Sequence, residues 1–448
     1  PCLADDMGLG KTIQVLAFLS IIREHAEQPS LLVVPASLMG NWQDEIDRFL
    51  PDLRVLIAHG SAIGAKAREG VPNCELRKHD LVITTYGMVH RNDWLRETRW
   101  HYAILDEAQA IKNPGTRQTR AVKQLKAHNR MILTGTPVEN RLQDLWSLFD
   151  FLNPGLLGSA SEFKRTAKTF RRENRGYARL RRVVSPYILR RLKTDSSIID
   201  DLPEKIEMKT YAELSRRQVV LYRQLVADLT DTLENADGMQ RRGLVLASLL
   251  RFKQICNHPD QYTGNGVYRE SDSGKFSRLR EICETVLAEH ERVLVFTQFR
   301  EIIDPLDRFL TAVFGHSGLV LHGGVPVKKR REHVERFQRS RDYVPYMVLS
   351  VKAAGVGLNL TRANHVVHFD RWWNPAVESQ ATDRAFRIGQ ARNVVVHKFV
   401  CKGTVEEKID RMIADKVDLA NQIVAATGEN WITEMSNTEL TELFTLEL

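Results

Sequence analysis

The chain has 448 residues, with 64 Lys and Arg against 56 Asp and Glu for a formal net charge of +8; 43% of its residues are apolar and 27% charged. At roughly 100–200 residues per domain the length excludes a single small module, and the composition excludes a disordered polymer. Apolar runs such as Leu31-Leu32-Val33-Val34 fall far short of the ~20 residues a bilayer crossing needs.

The chain opens at Pro1-Cys2-Leu3 with neither an initiator Met nor a signal pattern, which reads as a fragment lacking its upstream part. Residues 5 to 12, Asp-Asp-Met-Gly-Leu-Gly-Lys-Thr, then form a candidate phosphate loop. Gly8 and Gly10 permit a tight turn on either side of Leu9 that points N–H groups at phosphate oxygens, Lys11 reaches the β/γ-phosphates, and the Thr12 hydroxyl binds Mg2+. The pattern departs from GxxxxGK[ST] at its first glycine, where Asp5 stands. Short apolar runs follow at 31–35, 54–58, 80–85, 102–106 and 131–134, alternating with amphipathic stretches, which predicts a parallel sheet with helical crossovers.

The run Tyr102-Ala-Ile-Leu ends in Asp106-Glu107, a strand delivering paired carboxylates to the C-terminal edge of the sheet. Asp106 is the expected Mg2+ ligand, and Glu107 the residue that orients and deprotonates the attacking water. Leu133-Thr134-Gly135-Thr136-Pro137 is, taken alone, a turn, with hydroxyls placed to relay nucleotide state.

From Lys164 to Lys193 twelve basic residues face one acid, Glu173, a local charge of +11 that leaves the rest of the chain at −3. Such a stripe is either a surface for a polyanion or a solvated helical face. Leu221, Leu225, Leu229 and Leu233 recur every fourth residue and Leu244–Leu250 continues an apolar face, so 155–275 reads as largely helical, broken at Pro203. Cys256 and His258 lie close together, but no second pair accompanies them and no CxxC exists among the five cysteines. They read as structural, in a chain suited to a reducing compartment.

Strand-like runs return at 292–297, 319–322, 346–350, 365–370 and 394–400, predicting a second α/β lobe. Within it, Gln380-Ala-Thr-Asp-Arg384-Ala-Phe-Arg387-Ile-Gly-Gln390 places two arginines three apart, expected on one helical face, either presented together to a transferred phosphoryl group or as surface arginines of a salt-bridged helix. An arginine finger is worth about 10³ to 10⁵ in rate. Gly355 and Gly357 serve either a close backbone approach to ligand or a tight turn. A last helix is expected from Thr404, since Thr404-Val-Glu-Glu407 has capping-box spacing.

Taken in order, these segments resemble the Swi/Snf family of superfamily 2 helicase-like ATPases. Beside those already quoted, the resemblance rests on Pro-Ala-Ser-Leu-Met-Gly-Asn-Trp (35–42), Thr-Thr-Tyr-Gly (84–87), Asp-Glu-Ala-Gln (106–109), Tyr-Ile-Leu-Arg-Arg (187–191), Cys-Asn-His-Pro (256–259), Val-Leu-Val-Phe-Thr-Gln-Phe (293–299), Ala-Gly-Val-Gly-Leu-Asn-Leu (354–360) and Asp-Arg-Trp-Trp-Asn-Pro (370–375). Asp-Glu-Ala-Gln and Phe386 look more like bacterial or archaeal members.

The resemblance implies an α/β fold of two RecA-like parallel-sheet lobes with family-specific helical insertions and a C-terminal brace helix. Lobe 1 is expected at 1–154, a first insertion at 155–200, a return to lobe 1 at 201–211, a second insertion at 212–275, lobe 2 at 276–403, and the brace and tail at 404–448. It implies ATP and Mg2+ as cofactors and DNA-dependent ATP hydrolysis. ATP is expected between the lobes, held by Gly8, Leu9, Gly10, Lys11 and Thr12 on one side and by Gly357, Gln380, Arg384 and Arg387 on the other. Double-stranded DNA is the expected partner, tracked without strand separation, with a DNA-bound protein complex as a candidate substrate. The expected DNA contacts are Asn41, Trp42, Thr84 and Thr85 in lobe 1; Thr297, Gln298, His322 and Lys352 in lobe 2; Trp372 and Trp373; and the basic stripe at Arg171, Arg172, Arg175, Arg179, Arg181 and Arg182. A strand-separating DNA or RNA helicase and a low-turnover ATP-gated DNA clamp remain as alternatives. Flanking domains or partner subunits are expected outside the chain, in a cytoplasmic, nucleoid-associated setting if the source is bacterial or archaeal.

Overall fold

The computed structural model describes residues 1–6, 8–59, 71–135, 142–170, 176–191, 203–233, 238–339, 343–354, 358–372, 375–420, 432 and 435–447. They divide between two units, the first within residues 1–200 and the second from 201 onward.

In the first unit, β1 (Cys2–Leu3), β2 (Ser30–Val34), β3 (Val55–Ala58), β4 (Leu81–Thr85), β5 (Arg99–Leu105), β6 (Lys126–Leu133) and β7 (Ile188–Leu189) form one sheet. Its order is β3-β4-β2-β5-β6-β1-β7, with every pairing parallel. Strands β2 and β4 are buried along their whole length, because helices cover both faces of a parallel sheet and each strand then reads as a continuous apolar run. Leu31, Val33, Val82, Trp100, Ala103, Leu105 and Ile132 belong to the resulting core. All five strands expected here are present. The two-residue strands β1 and β7 leave no periodicity to read. The stretch expected as insertion, 155–200, does carry helices Ala160–Phe170 and Gly176–Val184, but it rejoins the sheet at β7 beside β1.

The second unit holds β8 (Lys205–Ala212), β9 (Val293–Thr297), β10 (Leu319–Leu321), β11 (Tyr346–Ser350), β12 (His365–His368) and β13 (Val394–Cys401), in the order β10-β11-β9-β12-β13-β8 and again all parallel. Strand β8 corrects the expectation that 201–211 returns to the first lobe. It is the edge strand of the second sheet, in register with β13 from Lys205 opposite Val394 to Ala212 opposite Cys401. Glu207 binds Lys398 at 2.6 Å and Lys205 at 2.8 Å, charges of the kind that protect an exposed edge.

Helices Arg216–Leu233, Gly238–Asn257, Val405–Ala420 and Asn437–Phe444 pack their apolar faces together around Tyr222, Leu225, Leu229, Phe252, Ile409 and Phe444. Phe252 stacks on Phe444 with ring centroids 4.8 Å apart. The helix expected after Thr404 is there, with a different cap. The Thr404 hydroxyl accepts the Glu406 N–H, while the Glu407 carboxylate takes the N–H of Gly403. The reciprocal capping box lies instead at Ser436 and Glu439. Among the described residues no helix is long and apolar enough to cross a membrane.

Candidate nucleotide site

Strand β1 ends at Leu3, and the loop that follows turns into helix Lys11–Ile22. Gly8 and Gly10 both have positive φ, 86° and 71°. A Cβ at Gly10 would meet nothing within 4 Å, so the backbone conformation rather than crowding demands glycine there. The helix N-terminus follows Gly10 directly, the setting in which N–H groups and the helix dipole hold an anion. The Lys11 ammonium lies back on its own loop, donating to the carbonyls of Asp5 at 2.6 Å and Asp6 at 3.2 Å. Burial lowers its pKa, against the pull of the Glu107, Asp106, Asp5 and Asp6 carboxylates. Thr12, half-buried, is the next residue of the helix.

Asp106 follows β5 and joins it to the sheet through its N–H on the Val33 carbonyl. Its Oδ2 accepts the Trp42 indole N–H at 2.8 Å, and its Oδ1 accepts the Glu107 N–H at 2.9 Å. The Tyr86 hydroxyl donates to its carbonyl at 2.7 Å. Desolvation, followed by the neighbouring Glu107 carboxylate, pushes the Asp106 pKa up to about 7. Glu107 has φ 49°, a left-handed conformation that costs about 1–3 kcal/mol and is typically found where function requires it. Gln109 Nε2 donates to Glu107 Oε2 at 2.6 Å, and Gln109 Oε1 accepts the Thr134 hydroxyl at 3.4 Å. Thr134 of the expected relay segment is thereby linked to Glu107, while Thr136 and Pro137 lie outside the described residues. The oxygen donors of Thr12 and Asp106 suit a hard divalent cation, and the crowded carboxylates at 106 and 107 are the arrangement a cation relieves. Gln109, Tyr86 and Gln14 were not singled out by sequence; for Gln109 the signal was its place in Asp-Glu-Ala-Gln.

In the second unit helix Pro375–Thr382 carries half-buried Gln380 and ends before either arginine. This corrects the expectation that Arg384 and Arg387 share a helical face: both lie in the turns that follow. Arg384 is buried, with its carbonyl accepting the Leu360 N–H at 2.9 Å, and Arg387 is half-exposed. Gln390 pins the turn, its amide donating to the carbonyls of Ala363 at 2.8 Å and Ala385 at 3.1 Å. Gly357 lies outside the described residues.

Several expected DNA contacts prove to be internal. Trp42 is 2% exposed and holds Asp106. Thr84 is fully buried, its hydroxyl on the Ala58 carbonyl, and Thr85 caps the next helix by accepting the Met88 N–H. Thr297 is fully buried, with its hydroxyl on Asp370. Burial of apolar surface and internal hydrogen bonds claim these four side chains. Asn41 is exposed, and His322 is half-buried, its Nδ1 accepting the Gly324 N–H. Half-buried Gln298 gives its backbone N–H to Asp370 at 2.9 Å, while its buried Nε2 meets no hydrogen-bonding partner among the described residues. Trp372 packs partly against the core and gives its N–H to Glu378 at 2.8 Å. Arg181 and Arg182 are exposed on helix Gly176–Val184. Trp373, Arg171, Arg172, Arg175 and the side chains of Arg179 and Lys352 lie outside the described residues.

The Cys-Asn-His-Pro and Asp-Arg-Trp-Trp segments meet: Asn257 Nδ2 donates to Asp370 at 3.3 Å. His258 caps helix Pro259–Thr263 by accepting the Asp260 N–H. Cys256 is grouped with Cys401 and Glu406 rather than with His258, and Glu406 is bound at 2.7 Å by the buried Lys275 ammonium.

Comparison with known proteins bears on the whole chain. The SNF2-related domain matches residues 2–261, and the helicase conserved C-terminal domain matches residues 274–389. The putative ATP-dependent helicase/translocase YwqA of Bacillus subtilis is 45% identical over 453 residues, covering 99% of this chain and 48% of the relative. An uncharacterized ATP-dependent helicase of Mycoplasma genitalium, MG018, is 36% identical, covering 99% of this chain and 42% of its own length. The chain thus spans about half the length of the curated relatives it matches. Among solved structures, the Sulfolobus solfataricus SWI2/SNF2 ATPase core in complex with dsDNA is 42% identical, with a TM-score of 0.50 covering all of this chain and 93% of the other.

Proposed function

Because this chain belongs to the SNF2-related family, we propose that it is a DNA-stimulated ATPase that moves along double-stranded DNA, displacing bound protein without separating the strands. The observation that carries this reading is the convergence of Lys11, Asp106 and Glu107 at the C-terminal edge of the first sheet, with Gln109 tying Glu107 to Thr134. That edge is where open α/β sheets bind their ligands. The duplex DNA on the archaeal relative's ATPase core supports the choice of nucleic acid.

In this account Lys11 leaves the Asp5 and Asp6 carbonyls and meets the β/γ-phosphates of ATP, over N–H groups of the Gly8–Thr12 turn. Thr12 and Asp106 would hold Mg2+, which when bound would supply neutralisation of the charge on the phosphate oxygens. Glu107, oriented by Gln109, positions a water for attack on the γ-phosphorus and takes its proton as the bond from that phosphorus to the bridging oxygen breaks and ADP leaves. Arg384 and Arg387 would stabilise the transferred phosphoryl group, and Gly357 and Gln380 would contribute to holding the nucleotide. DNA is gripped through phosphates by Arg181 and Arg182 together with Arg171, Arg172, Arg175 and Arg179, with Asn41, Gln298, His322 and Lys352 as further contacts, giving little sequence preference and a strong salt dependence.

The test is ATP turnover measured alone and with duplex DNA, single-stranded DNA or RNA, with Lys11→Ala and Glu107→Gln as controls. Duplex-specific stimulation abolished by both substitutions is the expected result. Stimulation by RNA alone, or turnover surviving both substitutions, overturns the assignment.

A further inference from the structure

The carboxylate of Asp5, fully buried at the start of the phosphate loop, is held by a residue 186 positions away. Arg191 gives its backbone N–H to Oδ1 at 2.9 Å and its Nε to both carboxylate oxygens at 3.2 and 3.1 Å, and its Nη2 reaches Oδ2. Gln14, in the first turn of helix Lys11–Ile22, donates to Oδ2 at 3.2 Å and to the Leu9 carbonyl at 2.9 Å, and accepts from Arg191 Nη2. Burial alone would raise the Asp5 pKa; the bonds from Arg191 and Gln14 bring it below the usual carboxylate value. The backbones are joined as well, Ala4 N–H to Leu189 O at 2.7 Å and Asp6 N–H to Arg191 O at 3.1 Å.

Two facts give this clamp a direction. On one side, the Lys11 ammonium rests on the main-chain carbonyl of the same Asp5 whose side chain Arg191 holds, so a shift of Asp5 moves the partner of Lys11. On the other side, Arg191 follows the exposed Arg181 and Arg182 by ten and nine residues, through the short turn Ser185–Tyr187 and strand β7. Arg181 and Arg182 are therefore joined to the phosphate loop by one short stretch of chain and the bonds of Arg191 inside the first unit. An arginine suits this role because its planar fork holds two carboxylate oxygens in fixed geometry, whereas a lysine supplies a point charge.

We propose that Arg191 is a positioning residue that couples DNA bound at Arg181 and Arg182 to the geometry of the phosphate loop, through Asp5. This rests on the reading that the Gly8–Thr12 loop binds ATP and that Arg181 and Arg182 bind DNA. Coupling between two ligands is reciprocal, so it is measurable without turnover.

The experiment measures duplex DNA affinity by anisotropy with and without a saturating non-hydrolysable ATP analogue, and analogue affinity with and without duplex DNA. The wild-type chain should show the same ratio, severalfold or more, in both directions. Arg191→Ala and Arg191→Lys should bring that ratio to near one while the affinity for DNA in the absence of nucleotide changes less than twofold. Asp5→Asn, which keeps the shape but drops the charge, should do the same if the arginine variant does not fold. Arg190→Ala, one residue away and exposed, should keep the wild-type ratio. A ratio preserved in Arg191→Ala and Asp5→Asn overturns the proposal, as does a wild-type ratio of one. A wild-type chain that binds no analogue, or no DNA, instead overturns the reading beneath it.

Discussion

Trp42, in the first turn of helix Met39–Phe49, gives its indole N–H to Oδ2 of Asp106 at 2.8 Å across 64 residues of sequence. The ring is buried, so its place in the molecule is beside the carboxylate expected to hold Mg2+ rather than on a DNA surface. Leaving that buried oxygen without its donor costs about 1–3 kcal/mol. Trp42→Phe should therefore lower kcat for ATP roughly tenfold while duplex affinity, read by anisotropy, stays within about twofold. Lost DNA affinity with unchanged kcat would return Trp42 to the DNA surface.

Gln109 bridges Glu107 and Thr134, donating to one and accepting from the other. Gln109→Ala frees the Glu107 carboxylate to leave its attacking geometry, and should cut DNA-stimulated turnover about tenfold or more, a fraction of what a positioned base contributes. ATP-analogue affinity should be nearly unchanged, since Gln109 meets no phosphate in this account. Steady-state kinetics with analogue titration checks both.

Lys275 and Glu406 form an ion pair with neither side chain exposed, 2.7 Å apart, with Asn257 on the same ammonium at 3.0 Å. Removing one member strands a buried charge, so Lys275→Met should cost about 3–5 kcal/mol. The double variant Lys275→Met with Glu406→Leu should recover most of that loss. Urea denaturation of the three chains measures it; equal destabilisation in the single and double variants would contradict the pairing.

Glu207 titrates on the edge strand β8. Burial would raise its pKa, and the Lys205 and Lys398 ammonium groups bring it down to about 2. A carboxylate depressed on folding adds stability that is complete above its ordinary value near 4.5 and is lost as pH falls toward 2. Glu207→Gln should thus flatten the loss of stability between those pH values, as read by melts at pH 5 and pH 2.5.

Arg181 and Arg182 stand exposed on helix Gly176–Val184. If each meets a phosphate, Arg181→Gln with Arg182→Gln should reduce the slope of log affinity against log salt by about 2. An unchanged slope would make this helix a solvated face.

The lobes were legible because parallel strands covered on both faces, such as Leu31–Val34 and Val293–Phe296, are unbroken apolar runs. Strand β8 was not: it is an edge strand with alternating charge, and its lysines and glutamate hid it. The candidate nucleotide residues stand out in local patterns, Lys11 at the start of its helix and Asp106 and Glu107 just past the end of β5. What the sequence hid was long-range. Nothing near Trp42 announces a bond to Asp106, and nothing near Asp5 announces Arg191, because spacing carries no record of partners so far away in sequence. The arginine motif misled for a local reason, as the helix stops at Thr382 and the three-residue spacing no longer implies a shared face.

Triplex displacement tests the central claim most directly: a third strand bound to duplex DNA is stripped by a motor moving along that duplex, with no unwinding of the duplex itself. The wild-type chain should release the third strand in an ATP-dependent way, Glu107→Gln should release none, and the duplex should stay intact throughout. Duplex strands that separate, or a third strand that stays bound while ATP is consumed, would contradict that claim.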